Sequence, residues 1–562
     1  MPLILNEDFW LPIEKKFGFG NGRYNLAFET IDRPCLDGFG DKTALLWVNY
    51  KGEEKKFKYS ELSSLSNDFS AGLVGAGLKK GERAFIYMEK VPEVYIGILG
   101  VIKAGAIACP LFSGFGKNAL AERMIDGEAA FVITTDFLRD EVVEISKNIG
   151  SLRTIVVHSD RSDRHTIKDD ANCKAEVICF NDIYTKNPSF KPCEMQPDEC
   201  AVIHYTSGTT GKPKGAVHRH MAIMGHYYST RETFALESDD VYWCTADPGW
   251  ITGTSHGIFG PWSNGATMVV YEGGFDASKW YETIERFGVS VLYTSPTAIR
   301  QLMKEPAAVK KYDLGSLKRI YSVGEPLNPE AIEWSLRNIG LTIYDTWFQT
   351  ETGAIMITNR PGLDVRKGSM GTPLPGITAM VLDEKGNPAG PGAIGDLVLK
   401  PDFPSLFTAY WKKEEIYAAR FRNGFYLTGD RACRDEKGYF RFVSRNDDVM
   451  KVSGHLLGPF EVESALLELD EIVESAVIGL PDEATGEAPM AFVVFKSGIA
   501  LDRKLEMKIR AYVRTKVASY AVPKKIKAVE KLPKTRSGKI MRRMLKNLEL
   551  GLETGDTSTL EE

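Results

Sequence analysis

The sequence lacks the features that mark several specialised classes of protein. Its eight cysteines form no Cys-x-x-Cys pair and no ligand-spaced cluster, which indicates reduced thiols in a cytoplasmic protein. The 70 lysines and arginines nearly balance the 75 aspartates and glutamates, and the net charge of -5 argues against nucleic acid or an anionic membrane as the main partner. The apolar stretch at the start of the chain is too short for a secretory signal.

Long hydrophobic runs are also missing. The longest run, residues 96–110, contains Lys103 and several glycines, and it predicts a core helix leading into a strand rather than a membrane span. The sequence has no internal repeat and no low-complexity tract. With 562 residues and 43% hydrophobic composition, the chain has material for about three or four domain-sized units.

Alternating strand-like and helix-like segments predict a parallel α/β fold. Strands at 43–48, 83–88 and 107–111 alternate with helices, one of which we expect to begin with Ser60 as its N-cap. After Gly371, short strands between Gly/Pro turns predict a small β-rich subdomain. We therefore predict an α/β fold with a large N-terminal domain over residues 1–446, and a small, mobile α+β domain over residues 447–562.

A loop of phosphate-binding type lies near the middle of the chain. Residues 205–215 read Tyr-Thr-Ser-Gly-Thr-Thr-Gly-Lys-Pro-Lys-Gly, in which amides and hydroxyls can wrap a polyphosphate while Lys212 and Lys214 offset its charge. Because Pro213 follows Lys212, the loop is not a Walker P-loop. A flexible surface linker is the alternative, but linkers rarely carry Lys-Pro-Lys directly after a strand.

Four further polar stretches occupy the ends of predicted strands or turns. Residues 322–326 and 345–353 follow strands, where open α/β sheets place ligand sites. Residues 426–430 and 445–448 put carboxylates and a guanidinium on turns, and residues 533–539 end in Lys539 beside a glycine. Taken singly, each stretch is equally well a strand end, a charged hairpin or a solvated basic tail.

Taken together and in this order, the motifs resemble those of the AMP-forming acyl-CoA synthetases of the adenylate-forming superfamily, from about residue 25 onward. Residues 246–250, 347–351 and 555–560 are similar to the acetyl-CoA synthetases of that family. The resemblance implies that ATP, Mg²⁺ and CoA are used in two steps. Acetate or another short carboxylate is adenylated with release of pyrophosphate, and the CoA thiol then displaces AMP.

The resemblance also implies a role for each matched residue. Lys539 is expected to bridge the carboxylate and the α-phosphate, Glu351 to ligate Mg²⁺, and Thr206 and Lys214 to join them as catalytic residues. The other residues expected to contact the nucleotide are Ser207, Gly208, Thr209, Thr210, Gly211 and Lys212 at the phosphates, Gly324, Glu325 and Pro326 at the adenine, Asp345, Thr346, Trp347, Phe348, Gln349 and Thr350 along the nucleotide and acyl group, and Asp430 and Arg445 at the ribose.

For CoA, the resemblance implies Arg514 at the nucleotide phosphates and a pantetheine path along Thr252, Ser295, Ser453 and Gly454. The walls of the acyl pocket are expected to be Trp250, Ile251, Val323 and Phe348. Acetyl-CoA synthetases carry a tryptophan at the position of Phe348, so we expect acetate to be used well, with propionate or a branched four-carbon acid close behind. Asp447, on a turn, is the predicted pivot of the small domain.

One position departs from the family pattern. Leu456 follows His455 at a position where the family has an arginine that reaches the ATP phosphates. One cation expected at those phosphates is therefore missing. His218 and His220 could suggest a metal site, but their spacing follows a strand and lacks further ligands, so we do not expect one there.

Two other activities remain open at this stage. Adenylation with a carrier protein as acceptor is one, although Arg514 argues against it, and a non-catalytic nucleotide sensor is the other, although Glu351 and Lys539 are both present. The expected partners are the small-molecule substrates, with no nucleic acid and no membrane. A homo-oligomer and control by acetylation and deacetylation of Lys539 are left open.

Overall fold

The computed structural model describes residues 5–17, 24–159, 173–187, 189–206, 212–534, 540–554 and 560. Within this part of the chain the strands form four sheets, two of them large and mainly parallel. Helices separate the parallel strands along the sequence. The predicted α/β class is therefore confirmed.

The strands of the described residues are numbered in chain order. They are β1 (Thr43–Asn49), β2 (Glu54–Lys58), β3 (Arg83–Tyr87), β4 (Ile107–Leu111), β5 (Ala129–Thr135), β6 (Thr154–His158), β7 (Glu176–Cys179), β8 (Cys200–Thr206), β9 (Lys214–Arg219), β10 (Val241–Cys244), β11 (Thr267–Glu272), β12 (Val291–Thr294), β13 (Arg319–Ser322), β14 (Ile343–Trp347), β15 (Ile357–Thr358), β16 (Thr372–Pro373), β17 (Ala379–Leu382), β18 (Ile394–Leu399), β19 (Ala409–Tyr410), β20 (Phe421–Arg422), β21 (Phe425–Arg434), β22 (Phe440–Arg445), β23 (Met450–Val452), β24 (His455–Leu457), β25 (Ile472–Asp482), β26 (Gly486–Phe495) and β27 (Lys525–Ala528).

The α-helices of the described residues are numbered in the same way. They are α1 (Glu7–Lys16), α2 (Tyr59–Gly75), α3 (Pro92–Lys103), α4 (Lys117–Asp126), α5 (Arg139–Ser146), α6 (Phe180–Ile183), α7 (Ala222–Phe234), α8 (Ile251–Thr254), α9 (Gly260–Ser263), α10 (Ala277–Phe287), α11 (Pro296–Met303), α12 (Pro306–Val309), α13 (Pro329–Asn338), α14 (Glu414–Ala418), α15 (Pro459–Leu467), α16 (Arg503–Lys516) and α17 (Arg542–Glu549).

The two large sheets supply the framework of the N-terminal part. One has the order β19-β9-β8-β4-β3-β5-β6-β7, and its strands from β8 to β7 are parallel. The other has the order β16-β15-β14-β13-β12-β10-β11-β1-β2, and its strands from β14 to β1 are parallel. Parallel strands end at one edge of a sheet, so each sheet presents a row of loops there.

The long apolar run forms a buried helix and strand, as predicted. All but one residue of α3 is buried, and so is every residue of β4. The charge that interrupts the run is satisfied inside the core, because the Lys103 ammonium donates to Asp32 Oδ1 (3.0 Å), Ser66 Oγ (2.9 Å) and Asn67 Oδ1 (2.9 Å). A buried ammonium needs such partners.

The predicted start of α2 is wrong by one residue. The helix begins at Tyr59, so Ser60 lies inside its first turn and is not the N-cap. The Lys58 backbone N–H donates to the Glu61 carboxylate (2.7 Å), and the Ser60 N–H donates to the Gly40 carbonyl (3.0 Å). Because a neighbouring loop already accepts from the first turn, a serine cap is not needed.

Two smaller sheets follow in the C-terminal third. Strands β17, β18, β20, β21 and β22 form an antiparallel sheet, in agreement with the predicted β-rich subdomain. Strands β23 to β27 form the other, which is antiparallel apart from the β26–β27 pair. Ser453 and Gly454 connect β23 to β24 with φ of 50° and 81°, the pair of positive values that a type I′ hairpin turn requires.

Among the described residues, no helix is both long and apolar enough to span a bilayer. All eight cysteines are free thiols.

Burial of His220 generates a prediction about acid stability. Its side chain is fully buried, Nδ1 accepts from the Leu26 N–H (2.9 Å), and burial lowers the pKa of His220 from 6.5 to about 3. In the unfolded chain this histidine takes up a proton below pH 6.5, whereas in the folded chain it does so only near pH 3. Its stabilising contribution is therefore present above pH 6.5 and is lost as the pH falls.

We expect His220→Asn to reduce this acid sensitivity, because an asparagine Oδ1 can accept from Leu26 without titrating. Between pH 7 and pH 5 the free energy of unfolding should fall by about 2 kcal/mol more in the wild type than in the variant. Urea unfolding of both proteins at the two pH values measures the difference. Equal losses would show that His220 titrates normally in the folded state.

Candidate functional site

A cavity of about 430 Å³ lies where strand ends of the two large sheets meet the C-terminal unit, by which we mean the chain from β23 onward. Thr206 ends β8, Trp250 follows β10, Val323 follows β13 and Phe348 follows β14, and all four line the cavity. Lys534, from the C-terminal unit, lines the opposite side. The position agrees with the general rule that open α/β sheets bind ligands at the carboxyl ends of their strands.

The structure brings most of the predicted site residues to this cavity. Those that line it are Thr206, Trp250, Ile251, Thr252, Val323, Gly324, Glu325, Pro326, Asp345, Thr346, Trp347, Phe348, Gln349, Thr350, Glu351, Asp430 and Arg445. These residues come from six separate stretches of sequence, so their convergence depends on the fold.

Other predicted residues lie away from the cavity lining or outside the described part of the chain. Lys214 begins β9, Ser295 caps α11 by accepting from the Ala298 N–H (3.2 Å), and Arg514 is in the last turn of α16. Described residues that do not line the cavity are Lys212, Lys214, Ser295, Asp447, Ser453, Gly454 and Arg514. Ser207, Gly208, Thr209, Thr210, Gly211 and Lys539 are outside the described residues.

Asp430 is the centre of a hydrogen-bonded junction at one end of the cavity. Its Oδ2 accepts from Trp347 Nε1 (3.1 Å) and from Gln349 Nε2 (3.0 Å). Arg445 lies opposite Asp430 across the β21–β22 pair, with its Nε 3.7 Å from Asp430 Oδ1. Tyr426 donates to Gln349 Oε1 (2.9 Å) and so fixes the amide orientation. The carboxylate is thus oriented and its charge is balanced by a neighbouring cation.

A second carboxyl group lines the cavity at the end of β14. Asp345 Oδ1 accepts from Ser322 Oγ (2.6 Å) on the neighbouring strand. Burial raises the pKa of Asp345 from 3.8 to about 7. Near neutral pH this group is therefore able to act either as a hydrogen-bond donor or as an acceptor.

Glu325 is held on the loop after β13. Its carboxylate accepts from Thr297 Oγ1 (2.6 Å) and from Arg300 (2.7 Å), both on α11. Gly324 has φ of 91°, a value that favours glycine. The loop therefore turns sharply and keeps its carboxylate paired.

Aromatic rings close the other end of the cavity. Trp250 stacks at a tilt on Phe112 (5.4 Å between centroids) and meets the edge of Phe115 (5.6 Å). Phe348 packs edge-on against the buried ring of His256 (5.2 Å). These contacts hold the rings of Trp250 and Phe348, two of the apolar residues that line the cavity, in place.

The turn that carries Trp250 packs closely against its neighbours. Asp247 Oδ1 accepts from the Gly249 N–H (2.8 Å), and the Trp250 N–H donates to the Asp247 carbonyl (3.0 Å). A Cβ at Gly249 would lie 2.2 Å from the backbone nitrogen of Phe112, so only glycine fits. The position of the Trp250 wall is therefore set by backbone packing.

Hydrogen bonds hold both the backbone of Glu351 and one of its two carboxylate oxygens. Tyr410 donates to Oε1 (2.6 Å), and the Phe407 N–H donates to the Glu351 carbonyl (2.8 Å). No described residue donates a hydrogen bond to Oε2. A carboxylate with one unengaged oxygen on a polar cavity fits a Mg²⁺ ion, which binds proteins through one or two carboxylates.

Sequence reasoning missed several charged residues of the lining. The C-terminal unit supplies Glu474, Arg542 and Lys534, with Lys534 Nζ 2.8 Å from a Glu474 oxygen. Arg123 of α4 and Arg300 of α11 also line the cavity. Lys534 stands within the stretch 533–539 noted in the sequence and could have been singled out there. The others follow no local motif, because only the packing of distant segments brings them to the site.

Comparison with known proteins gives the family. Residues 34–411 match the family described as AMP-binding enzyme, and residues 461–539 match the AMP-binding enzyme C-terminal domain. The acetyl-coenzyme A synthetase of Bacillus subtilis (strain 168) is 42% identical over 547 residues, covering 96% of this chain and 93% of that protein.

Solved structures agree with this result. An anthranilate CoA ligase in complex with anthranoyl-AMP has a TM-score of 0.83 and 27% identity, over 94% of this chain and 98% of that one. The acyl-CoA synthetase of Brucella canis has a TM-score of 0.73 and 31% identity, over 98% and 99%. The chain therefore belongs to the AMP-binding enzyme family of adenylate-forming ligases, and the predicted resemblance is confirmed.

Proposed function

We propose that the protein is an AMP-forming acetate–CoA ligase that works in two steps. In the first, a carboxylate oxygen of acetate attacks the α-phosphorus of ATP, and pyrophosphate leaves. In the second, the CoA thiol attacks the acetyl carbonyl and AMP leaves. The observation that carries the proposal is the juxtaposition, in the lining of one cavity, of the aromatic side chains of Phe348 and Trp250 with the carboxylates of Asp345 and Asp430. The extent of the likeness to an acetyl-coenzyme A synthetase supports it.

The polar end of the cavity suits a nucleotide. A ribose diol needs an oriented acceptor, which Asp430 offers because Trp347 and Gln349 fix it. Residues 324–326 line the cavity, and we propose that their backbone groups lie against the adenine. Lys212, which precedes β9, and Lys214, its first residue, are proposed to supply positive charge at the phosphates.

Magnesium is proposed to bind at Glu351 together with the ATP phosphates. The ion supplies charge neutralisation on the phosphate oxygens, and the carboxylate oxygen that accepts no hydrogen bond from a described residue is the one available to it. Lys539 is proposed to supply the further cation between the acetate carboxylate and the α-phosphate.

The acyl pocket determines which acid is used. Phe348 is proposed as its floor and Trp250, Ile251 and Val323 as its walls, and all four line the cavity. The buried His256 ring stands against Phe348, which limits how far the phenyl ring can withdraw. A slightly larger acid, such as propionate or a branched four-carbon acid, is the second candidate, because phenylalanine leaves more room than tryptophan.

We expect acetate to give the highest kcat/KM in a panel of acids of one to eight carbons offered with ATP, Mg²⁺ and CoA. Propionate should follow within about tenfold, and hexanoate and benzoate should be poor, since one methylene is worth about 1–3 kcal/mol in an apolar pocket. Phe348→Gly should move the optimum to longer acids and Phe348→Trp should sharpen the preference for acetate, while the KM for ATP stays the same in both. A preference for octanoate, or an unmoved profile in Phe348→Gly, would refute the acetate assignment.

Lys539→Ala should separate the two steps. We expect acetyl-AMP formation, measured as acetate-dependent exchange of pyrophosphate into ATP, to fall by roughly two to three powers of ten, the scale for losing one preorganised charge-stabilising donor. Thioester formation from supplied acetyl-AMP and CoA should be much less affected, because the carboxylate and α-phosphate are already joined. An equal loss in both assays would exclude the assigned role.

The C-terminal unit is proposed to turn between the two steps. In the structure Lys534, Glu474 and Arg542 line the cavity, whereas Ser453 and Gly454 do not. Ser453 and Gly454, proposed for CoA, thus lie away from the cavity that other residues of the same unit line, and we propose that rotation of the unit brings them to it.

Asp447 is the proposed pivot. It lies on the turn between β22 and β23 with its side chain 56% exposed, and its backbone N–H donates to no described residue. We expect Asp447→Pro, which fixes φ near -65°, to hold one orientation, so that one half-reaction keeps its rate while the other falls by about tenfold or more. Asp447→Ala, which leaves φ free, is the control. Wild-type rates in both half-reactions of the proline variant would place the pivot elsewhere.

Leu456 lies on β24 opposite Lys451, away from the cavity lining, so an effect of the missing arginine is expected in the rotated form. Arg514 supports CoA rather than a carrier protein as acceptor. A cytoplasmic location is supported by the free cysteines.

A further inference from the structure

We infer that Tyr410 is a positioning residue for the metal-binding carboxylate, because its hydroxyl holds Glu351 Oε1 and leaves Oε2 available to the divalent cation that accompanies ATP. The inference rests on the proposed function, in which Glu351 binds that cation. It assigns a role to a residue that no sequence motif considered above contains. The contact that carries it is the 2.6 Å hydrogen bond from the Tyr410 hydroxyl to Glu351 Oε1.

The tyrosine is held rigidly from both sides. Its side chain is buried, and its ring meets that of Phe407 at 4.9 Å between centroids. On the backbone, Tyr410 belongs to β19, which pairs with Ala216 and Val217 of β9, and the Trp411 N–H donates to the Gly215 carbonyl (2.7 Å). The hydroxyl is therefore presented from a fixed point on β19, which pairs with the strand that follows the phosphate loop.

The same short segment holds the backbone of Glu351. The Phe407 N–H donates to the Glu351 carbonyl (2.8 Å), and the Ser405 carbonyl lies 3.2 Å from Nδ1 of the buried His218. A Cβ at Gly353 would lie 2.4 Å from that carbonyl, so the loop after Glu351 also packs against this segment. Residues 405–411 thus set both the backbone and the side chain of the acidic residue.

Nearby cations explain why the hydroxyl is needed. The Lys214 ammonium stands over the Tyr410 ring, 5.7 Å from its centroid, and burial together with Arg420 lowers the pKa of Lys214. Glu351 acts on Lys214 and on Arg420 through its charge and accepts a hydrogen bond from neither. The tyrosine hydroxyl engages the carboxylate as a neutral donor, so that the charge of Glu351 is left for the metal ion and the lysine is left for phosphate.

Loss of the hydroxyl should therefore weaken metal binding. In Tyr410→Phe the carboxylate is free to rotate and to pair with Lys214, and either change competes with the cation. A hydrogen bond to a charged group corresponds to a factor of about ten or more in an equilibrium constant, so we expect a loss of at least about tenfold.

The test measures nucleotide binding to the full-length protein by calorimetry, with a non-hydrolysable ATP analogue and no acetate. The quantity is the gain in analogue affinity that Mg²⁺ confers, given by the ratio of the Kd in EDTA to the Kd in Mg²⁺. We expect Tyr410→Phe and Glu351→Gln each to reduce this gain by about tenfold or more, and the double variant to lose no more than Glu351→Gln alone. Tyr417→Phe, the same change on a ring that packs against Phe407 at 5.0 Å, is the matched control and should keep the wild-type gain.

Each result bears on one part of the argument. An unchanged gain in Tyr410→Phe, with a reduced gain in Glu351→Gln, would overturn the role of Tyr410 alone. An unchanged gain in Glu351→Gln would remove the metal site itself and this inference with it, while acetyl-CoA synthesis by the same wild-type preparation would still report on the proposed function. Equal losses in Tyr410→Phe and Tyr417→Phe, or additive losses in the double variant, would show a general packing effect instead.

Discussion

The hydrogen-bonded junction at Asp430 joins side chains that belong to two different sheets. Trp347 and Gln349 come from the end of β14 in a large parallel sheet, whereas Asp430 and Arg445 come from neighbouring strands of the small antiparallel sheet. A buried carboxylate must have such partners, because leaving it unpaired would cost several kcal/mol. The need to satisfy this charge therefore works together with the backbone bridge between Gly371 and Phe440 to hold the small antiparallel sheet against the end of β14.

The periodicity of the sequence was enough to predict the architecture. Parallel strands that are buried on both faces appear in the sequence as short runs of apolar residues between helices. Strand β4 was predicted at its observed residues, 107–111. Ser60 shows where local reasoning fails. Its residue type favours an N-cap, but the Gly40 carbonyl already accepts from its N–H, and a contact twenty residues away has no local signature.

The candidate site likewise contains some residues that could be predicted from the sequence and others that could not. Residues at the ends of predicted strands, such as Glu325 and Asp345, could be recognised from sequence, since topology alone places strand ends at one edge. Glu474 and Arg542 could not, because their presence at the cavity depends on how one unit is oriented on another. Tyr410 could not either, because the partner of its hydroxyl is 59 residues away in sequence.

The N-terminal helix α1 has a consequence for how the chain acquires its structure during synthesis. Trp10 is fully buried, and its indole N–H donates to the carbonyl of Asp402 (3.1 Å), 392 residues further along the chain. At about 5–20 residues per second, a ribosome needs roughly 20–80 s to make that stretch. The helix therefore reaches its final place only after the segment around Asp402 has been made, and until then its tryptophan is available to chaperones.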